Sequence, residues 1–485
     1  MEKSKFATRF RSALGMQPDT SVKTEVIAGI TTFFAMVYII MVNPSTMTGT
    51  QEGTQLPLFP GLWNAVYVGT VIAAVIGTLL YAFLAKKPFA QASGMGLNAF
   101  FFVSFIVPAL GKYTADADMA KNYGAGLVII LISGLIFLIL SVTGLRSYIA
   151  KSLPDCLKKA IPAGIGLFIA LLGLKGSGFV VADQYTLVAF GDMRSWAGVA
   201  PVLAAGLGLI AIVVFNKIGA KWMKKASIVL GILISTVLYY LFTWTVPNFS
   251  FGAIGQSFKD FGTYGFSLFS GDAWATAFNG TMFGGIFSVI ILVITFCLVD
   301  MFDTIGTLYG TCSQAGMLDS NGDPIDIEKC MLCDSIATTA GAMVGVSTVT
   351  TFVESASGVA EGGRTGLTAL VTSGLFLVCL FLTPLARIIP GAATAPALIY
   401  VGLLMLKNFK AVDMDDLASA LPAFLTLVLM PLTYSISNGI AVGAISYVLI
   451  RIFTGKYSKK DIVVTVIAIL FILKFAFVNM GTPVV

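Results

Sequence analysis

The chain contains no histidine among its 485 residues. Histidine is the commonest metal ligand and the one side chain whose ordinary pKa lies close to neutrality. Its absence leaves proton transfer to carboxylates, and we predict no metal site. The six cysteines are scattered, mostly in or beside apolar runs, so they predict no disulfide framework.

Charged residues are also scarce. They make up 11% of the chain, hydrophobic residues make up 57%, and the mean hydropathy is +0.91. Apolar runs long enough to cross about 30 Å of hydrocarbon recur from Glu25 onward, which excludes a soluble domain with a single anchor. Residues 1–22 lack the apolar core and cleavage site of a signal peptide. We therefore predict a multi-pass protein of the cell membrane with a cytoplasmic N-terminus.

Fourteen apolar spans can be drawn along the chain, followed by a further apolar run at 461–480 whose crossing of the membrane is left open. Most of the 30 lysines and arginines then fall in cytoplasmic loops, as the positive-inside rule requires. This distribution assigns the basic charge to an anionic lipid surface and not to a nucleic acid. The predicted domains are a cytoplasmic arm (1–23), a first seven-span repeat (24–246), an extracytoplasmic loop (247–283), a second seven-span repeat (284–454) and a C-terminal apolar segment (455–485).

Seven is an odd number, so the second set of spans must enter the membrane from the opposite side, which predicts an inverted repeat. The third span of each half is interrupted by small polar residues, at 91–94 and at 354–358. Paired interruptions of this kind indicate the binding site of a transporter. Residues 349–353 are β-branched or aromatic and predict a short strand, which a membrane tolerates only inside protein or along a cavity.

Three carboxylates fall within apolar spans. Asp300 and Asp303 are three residues apart and share one helical face, and Glu354 lies in the interrupted tenth span. A charge at the bilayer centre costs about 2.5–3.5 kcal/mol, so these groups must be protonated, hydrogen-bonded or facing a wet cavity. Either aspartate could instead cap a helix near the interface, whereas Glu354 is the stronger functional candidate.

Two further residues are open to more than one interpretation, and one pair of charged residues is spaced to interact. The Asn98 amide both donates and accepts, which suits the edge of a heterocycle, but it could also join two helices. Phe352 could stack on a flat ligand or belong to the core. Glu361 and Arg364 are spaced to form an ion pair at i,i+3.

Three motifs together carry a family resemblance: Ala92-Ser-Gly-Met-Gly-Leu-Asn98-Ala-Phe, Asp300-Met-Phe-Asp303-Thr-Ile-Gly306-Thr and Thr350-Thr-Phe-Val-Glu354-Ser-Ala-Ser-Gly-Val. With them the chain resembles, over nearly its whole length, the xanthine/uracil permease superfamily of nucleobase:cation symporters. The azaguanine-type branch, which carries hypoxanthine, guanine and adenine, fits best. The resemblance implies an all-α polytopic membrane protein with 14 transmembrane segments in two inverted seven-span repeats. These form a core and a gate, with spans 3 and 10 part strand and part helix.

The resemblance also implies a substrate site. The family's binding acids fall on Asp303 and Glu354, its aromatic falls on Phe352, and the backbone at Val353 and Ser355 is expected to add donors and acceptors. The third-span position that contacts the base falls on Asn98, where uracil permeases carry an aromatic residue. This departure favours purines over uracil.

The implied activity is purine import by proton symport, with the core moving against the gate. The coupling proton is assigned to Asp300, Asp303 and Glu354 together, and no other cofactor is expected. The expected partners are a purine base and the lipid bilayer, and a homodimer through the gate is left open. A xanthine or uracil permease of the same fold remains the alternative. An anion transporter is disfavoured because the site has three acids and no buried arginine, and an enzyme because no catalytic signature is present.

Overall fold

The computed structural model describes residues 9–50, 57–144, 149, 152–183, 186–247, 249–279, 286–320 and 323–477. Within these ranges the chain is mainly helical, and eight helices are long and apolar enough to cross a membrane. Four shorter apolar helices accompany them. The predicted multi-pass membrane architecture is thus confirmed, whereas the count of fourteen spans and the repeat boundaries stay predictions.

The helices and strands follow one another with short connections. In chain order the helices are α1 (Val22–Met36), α2 (Ile39–Thr48), α3 (Pro60–Leu80), α4 (Met95–Phe101), α5 (Asp116–Val142), α6 (Asp155–Gly176), α7 (Trp196–Lys217), α8 (Lys221–Lys225), α9 (Ser227–Thr243), α10 (Gly252–Asp260), α11 (Gly271–Phe278), α12 (Ile286–Ala315), α13 (Ile327–Met343), α14 (Ser355–Ala360), α15 (Gly366–Val378), α16 (Thr383–Arg387), α17 (Gly391–Leu406), α18 (Leu417–Leu432), α19 (Ile436–Phe453) and α20 (Ile462–Phe477). The strands are β1 (Gln91–Ser93), β2 (Val180–Asp183), β3 (Leu187–Phe190) and β4 (Val349–Thr351).

Two strands from distant parts of the chain pair in the interior. β1 and β4 are antiparallel, with Ala92 opposite Thr350. The predicted strand at 349–353 is confirmed over β4, where the β-branched residues favour extended backbone. Each strand supplies the hydrogen-bond partners that the other could not obtain from lipid. Each also passes at once into a short helix, β1 into α4 and β4 into α14.

The helices pack into two groups. The pocket group comprises α1–α5 and α12–α15 together with β1 and β4, and the facing group comprises α6–α9 and α17–α19. Packing is dense inside each group and sparse between them, and α6 against α12 forms the largest contact between the groups.

The first apolar span, predicted over 24–44, is one candidate membrane span over Val22–Thr48, with a local break in its α-helical hydrogen bonding at residues 37–38. α1 ends at Met36 and α2 begins at Ile39. At the break, the amides of Ile40 and Met41 bond to carbonyls three residues earlier, which tightens the turn. The side chain of Tyr38, at this break, is fully buried.

The predicted Glu361–Arg364 ion pair is wrong. Glu361 instead lies 2.8 Å from Lys225, measured between Oε2 and Nζ. The Arg364 guanidinium donates to the carbonyls of Val359 and Gly363, both at 2.7 Å. The Val359 carbonyl lies in the last turn of α14, where it also accepts from the Gly362 amide, and Gly363 lies just beyond the helix.

Parts of the predicted terminal and loop domains, at 1–8, 280–285 and 478–485, lie outside the described residues. The described part of the C-terminal segment is α20, which packs on α19. Whether this segment crosses the membrane stays open.

Candidate functional site

A pocket lies between the two helix groups, where β1 and β4 end. It is partly open and holds about 320 Å³ of space free of protein atoms, including space open to solvent. The facing group contributes an apolar wall, and the pocket group contributes the polar wall and the strand ends. The residues lining it are Gly94, Met95, Gly96, Ile169, Asp303, Thr307, Thr350, Thr351, Phe352, Val353, Glu354, Val401 and Met405.

Asp303 and Glu354 stand together in this wall although 50 residues of chain separate them. Asp303 is 9% exposed and Glu354 is 6% exposed, so both carboxylates are largely shielded from water. A Cβ atom added to Gly94 would lie 3.7 Å from Asp303 Oδ2 and 3.1 Å from Thr350 Oγ1. The lack of a side chain at Gly94 therefore keeps the strand end close to Asp303 without covering it.

The pairing of β1 with β4 positions Glu354 in the pocket wall. Beyond the strands, the Gly94 amide donates to the Thr348 carbonyl and the Phe352 amide donates to the Ala90 carbonyl, both at 3.0 Å. Glu354 follows as the residue that precedes α14. Since Phe352 and Val353 lie between the strand and this helix, both also reach the pocket.

Tyr38 on the first span also holds Glu354. Its hydroxyl donates to Glu354 Oε1 at 2.6 Å. Sequence reasoning missed this residue because no motif marks it. The one available signal was a phenol in the middle of an apolar span, since a buried tyrosine hydroxyl requires a partner.

Asp300 lies one turn before Asp303 but does not line the pocket. Its Oδ2 accepts a hydrogen bond from Thr338 Oγ1 at 3.0 Å. The same hydroxyl is 3.1 Å from both the amide nitrogen and the carbonyl oxygen of Val349. Asp300 therefore contacts the group that clamps β4 to α13.

Asn98 and Ser355 also lie behind the lining. Asn98 Oδ1 accepts a hydrogen bond from Ser93 Oγ at 2.9 Å, at the end of β1. Ser355 Oγ accepts from the Ala90 amide at 3.0 Å. Both residues brace the strand ends, and of the residues predicted for the site only Asp303, Phe352, Val353 and Glu354 line the pocket.

A further buried carboxylate beside the strand pair was missed by the sequence analysis. Asp334 on α13 is fully buried and accepts a hydrogen bond from Gln91 Nε2 at 3.1 Å. Gln91 belongs to β1, so Asp334 supports the first strand much as the Thr338 hydroxyl supports the fourth. The available signal was an acidic residue, in the sequence Cys-Asp-Ser, inside a predicted apolar span.

The pocket is acidic. Its described lining contains two carboxylates and no lysine or arginine. Among the residues that the structure describes, no group of three or more Cys, Asp or Glu side chains is placed to hold a metal ion. The arrangement can accept hydrogen bonds from a ligand and repels anions.

Known proteins resemble the chain along most of its length. Residues 23–442 match the family model Xan_ur_permease, described as "Permease family". The guanine/hypoxanthine permease PbuO of Bacillus subtilis is 38% identical over 94% of this chain and 98% of its own. The adenine permease AdeP of Escherichia coli is 38% identical over 95% of this chain and 94% of its own. The transmembrane domain of the cyanobacterial bicarbonate transporter BicA has the same fold, with a TM-score of 0.58 and 15% identity over 86% of this chain and 96% of that domain.

Proposed function

The chain belongs to the Permease family of the Xan_ur_permease model, and from this premise we propose that it imports purine nucleobases by proton symport. Membership of this family makes it a transporter and not an enzyme. Among its relatives, PbuO is named a guanine/hypoxanthine permease and AdeP an adenine permease. The observation that carries the proposal is the small pocket with two carboxylates and no cation in its described lining.

The base is recognised at its hydrogen-bonding edge. Purines present ring N–H groups, and a carboxylate has two oxygens that accept such donors. Asp303 and Glu354 therefore bind the edge of the base, while Phe352 offers an aromatic surface to its flat face. Asn98 affects the selectivity for one base over another indirectly, because it holds the end of β1 through its hydrogen bond with Ser93.

The coupling proton belongs to the set Asp300, Asp303 and Glu354. Carboxylates that interact share their protons as a set, so no single residue is assigned the proton. A proton that enters with the base removes one negative charge from a site that holds no compensating cation among its described lining residues. Symport requires in addition that the binding of the proton and the binding of the base be coupled.

Transport proceeds by movement of the pocket group against the facing group, with 14 spans in two inverted repeats and a cytoplasmic N-terminus. The sparse packing between the groups supports this movement. The position of the pocket between them supports alternating access, because separation on either side would expose the same site.

BicA is described as a bicarbonate transporter. Anion transport is disfavoured for this chain because an anion would meet two carboxylates in the pocket wall. Xanthine and uracil remain alternative substrates of the same fold. They are distinguished from the purines of the proposal by direct competition for uptake.

The test is uptake of radiolabelled hypoxanthine, guanine, adenine, xanthine and uracil by proteoliposomes, with and without an imposed proton gradient. We expect saturable, gradient-dependent uptake of one or more of the first three bases. Glu354→Gln is expected to lower it about tenfold to a hundredfold, since a hydrogen bond to a charged group contributes about 1.5–3 kcal/mol. The matched control is Glu328→Gln on the exposed first turn of α13. Uptake of none of the five bases by folded protein would refute the proposal.

A further inference from the structure

The hydroxyl of Tyr38 provides the shortest side-chain hydrogen bond that the structure gives to either pocket carboxylate. It donates to Glu354 Oε1 at 2.6 Å across 316 residues of chain. Both side chains are buried, Tyr38 completely and Glu354 at 6% exposure. A hydrogen bond to an ionised acceptor is short and about twice as strong as a neutral one.

The backbones around this pair are also in close contact. A Cβ atom added to Gly358 on α14 would lie 2.7 Å from the Ala28 carbonyl oxygen on α1. The two helices therefore pack backbone to backbone one turn beyond Glu354. Because α1 and α14 are held together here, the distance between the Tyr38 hydroxyl and the Glu354 carboxylate is restrained.

Tyr38 sits at the break between α1 and α2, and the hydrogen bond occupies Oε1. A carboxylate offers about four acceptor positions on its two oxygens, so one bond at Oε1 leaves capacity for a ligand. The bond also removes rotational freedom that a free carboxylate would lose on binding, and this pre-organisation increases affinity.

We propose that Tyr38 is a positioning residue for base binding: its hydroxyl holds the Glu354 carboxylate in the orientation that receives the base. The inference rests on the proposed purine transport. It adds the first span to a site that sequence reasoning built from spans three, eight and ten.

A purely structural tyrosine would behave differently. Tyr67 on α3 offers the comparison, because it too is fully buried and donates at 2.6 Å, but to the backbone carbonyl of Cys379. Tyr38→Phe and Tyr67→Phe each remove one hydroxyl and one bond of the same length while keeping the ring. A loss of packing or stability affects both variants, whereas a loss of carboxylate orientation affects only Tyr38→Phe.

The experiment measures equilibrium binding of radiolabelled hypoxanthine, guanine and adenine to the purified full chain, together with thermal unfolding and the KM and maximal rate of uptake. Tyr38→Phe is expected to raise Kd and KM by about tenfold to a hundredfold, as loss of a hydrogen bond to a charged group predicts, with the maximal rate within about twofold. Tyr67→Phe is expected to leave Kd and KM within about twofold of wild type.

Each other outcome has one meaning. Wild-type binding with the same Kd in Tyr38→Phe overturns the positioning role and leaves the proposed function intact. The same holds if Tyr38→Phe fails to fold while Tyr67→Phe folds, because Tyr38 would then be structural. Wild-type protein that binds none of the three purines overturns the proposed function, and the inference with it.

Discussion

Gly306 provides the sharpest test of how the two helix groups meet. It lies one turn after Asp303 on α12 and faces Pro162 of α6. A Cβ atom at Gly306 would lie 2.3 Å from Pro162 Cγ and 3.2 Å from Pro162 Cβ. Carbon atoms pack at about 3.5 Å or more, so Gly306→Ala must separate the helices by about 1.2 Å at this point. The proline ring cannot rotate away, and overpacking of this kind costs about 1–3 kcal/mol.

The separation acts directly on the pocket, because α12 carries Asp303 and α6 carries Ile169 on the opposite wall. Displacement of a binding group by about 1 Å can cost as much as about a hundredfold in rate, and we expect at least a tenfold rise in KM for the base. The control is Gly310→Ala, one turn further along α12, where an added Cβ meets no atom within 4 Å. It should leave KM unchanged and stabilise the helix by up to about 1 kcal/mol.

The assay is proteoliposome uptake over a range of base concentrations, with thermal unfolding of the same preparations. Adding Pro162→Ala to Gly306→Ala should restore part of the activity, since the contact at 2.3 Å involves Cγ, which alanine lacks. Equal KM values in Gly306→Ala and Gly310→Ala would refute the close approach of α6 and α12 as a determinant of the site.

Two further changes test ion pairs outside the pocket. Lys225 and Glu361 join the facing group to the end of α14, where Lys225 is half-buried and Glu361 is exposed. Lys225→Glu and Glu361→Lys are each expected to lower uptake about twofold to fivefold, because such a pair contributes at most about 1 kcal/mol. The double exchange should restore uptake, and a double variant no better than either single one would contradict a role for the pair. Burial raises the pKa of Asp326, but hydrogen bonds from Lys329 and Lys87 outweigh it and hold that pKa below its usual range. The unfolded state therefore binds this proton more tightly, so the stabilisation is complete above about pH 4 and is lost as the pH falls through the lowered value. Asp326→Asn should lower the free energy of unfolding at pH 7 by less than about 1 kcal/mol and flatten its loss towards pH 3.5, and an identical thermal profile for both proteins would argue against this.

The predicted family resemblance is confirmed, and so are the multi-pass architecture and the strand at β4. These features follow from local composition. Apolar runs partition into lipid wherever the rest of the chain lies, and the residues of β4 favour extended backbone by their own sterics.

The sequence proposed three acids for the site, and their role in binding stays a prediction. Asp303 and Glu354 line the pocket, whereas Asp300 is bonded to Thr338 behind β4. One helical turn changes which face a side chain presents, and only the packed neighbours decide which face meets a cavity.

By itself, then, the sequence determined that the chain belongs to a permease family and crosses the membrane many times, whereas the correspondence of the two interrupted segments stays a prediction. The tertiary structure alone decided that Tyr38 meets Glu354, that Gln91 meets Asp334, and that Glu361 pairs with Lys225 instead of Arg364. Such contacts join residues more than a hundred positions apart. Their partners are selected by the close packing of helices around a polar interior, where each buried group must find a hydrogen bond, and no local pattern encodes that choice.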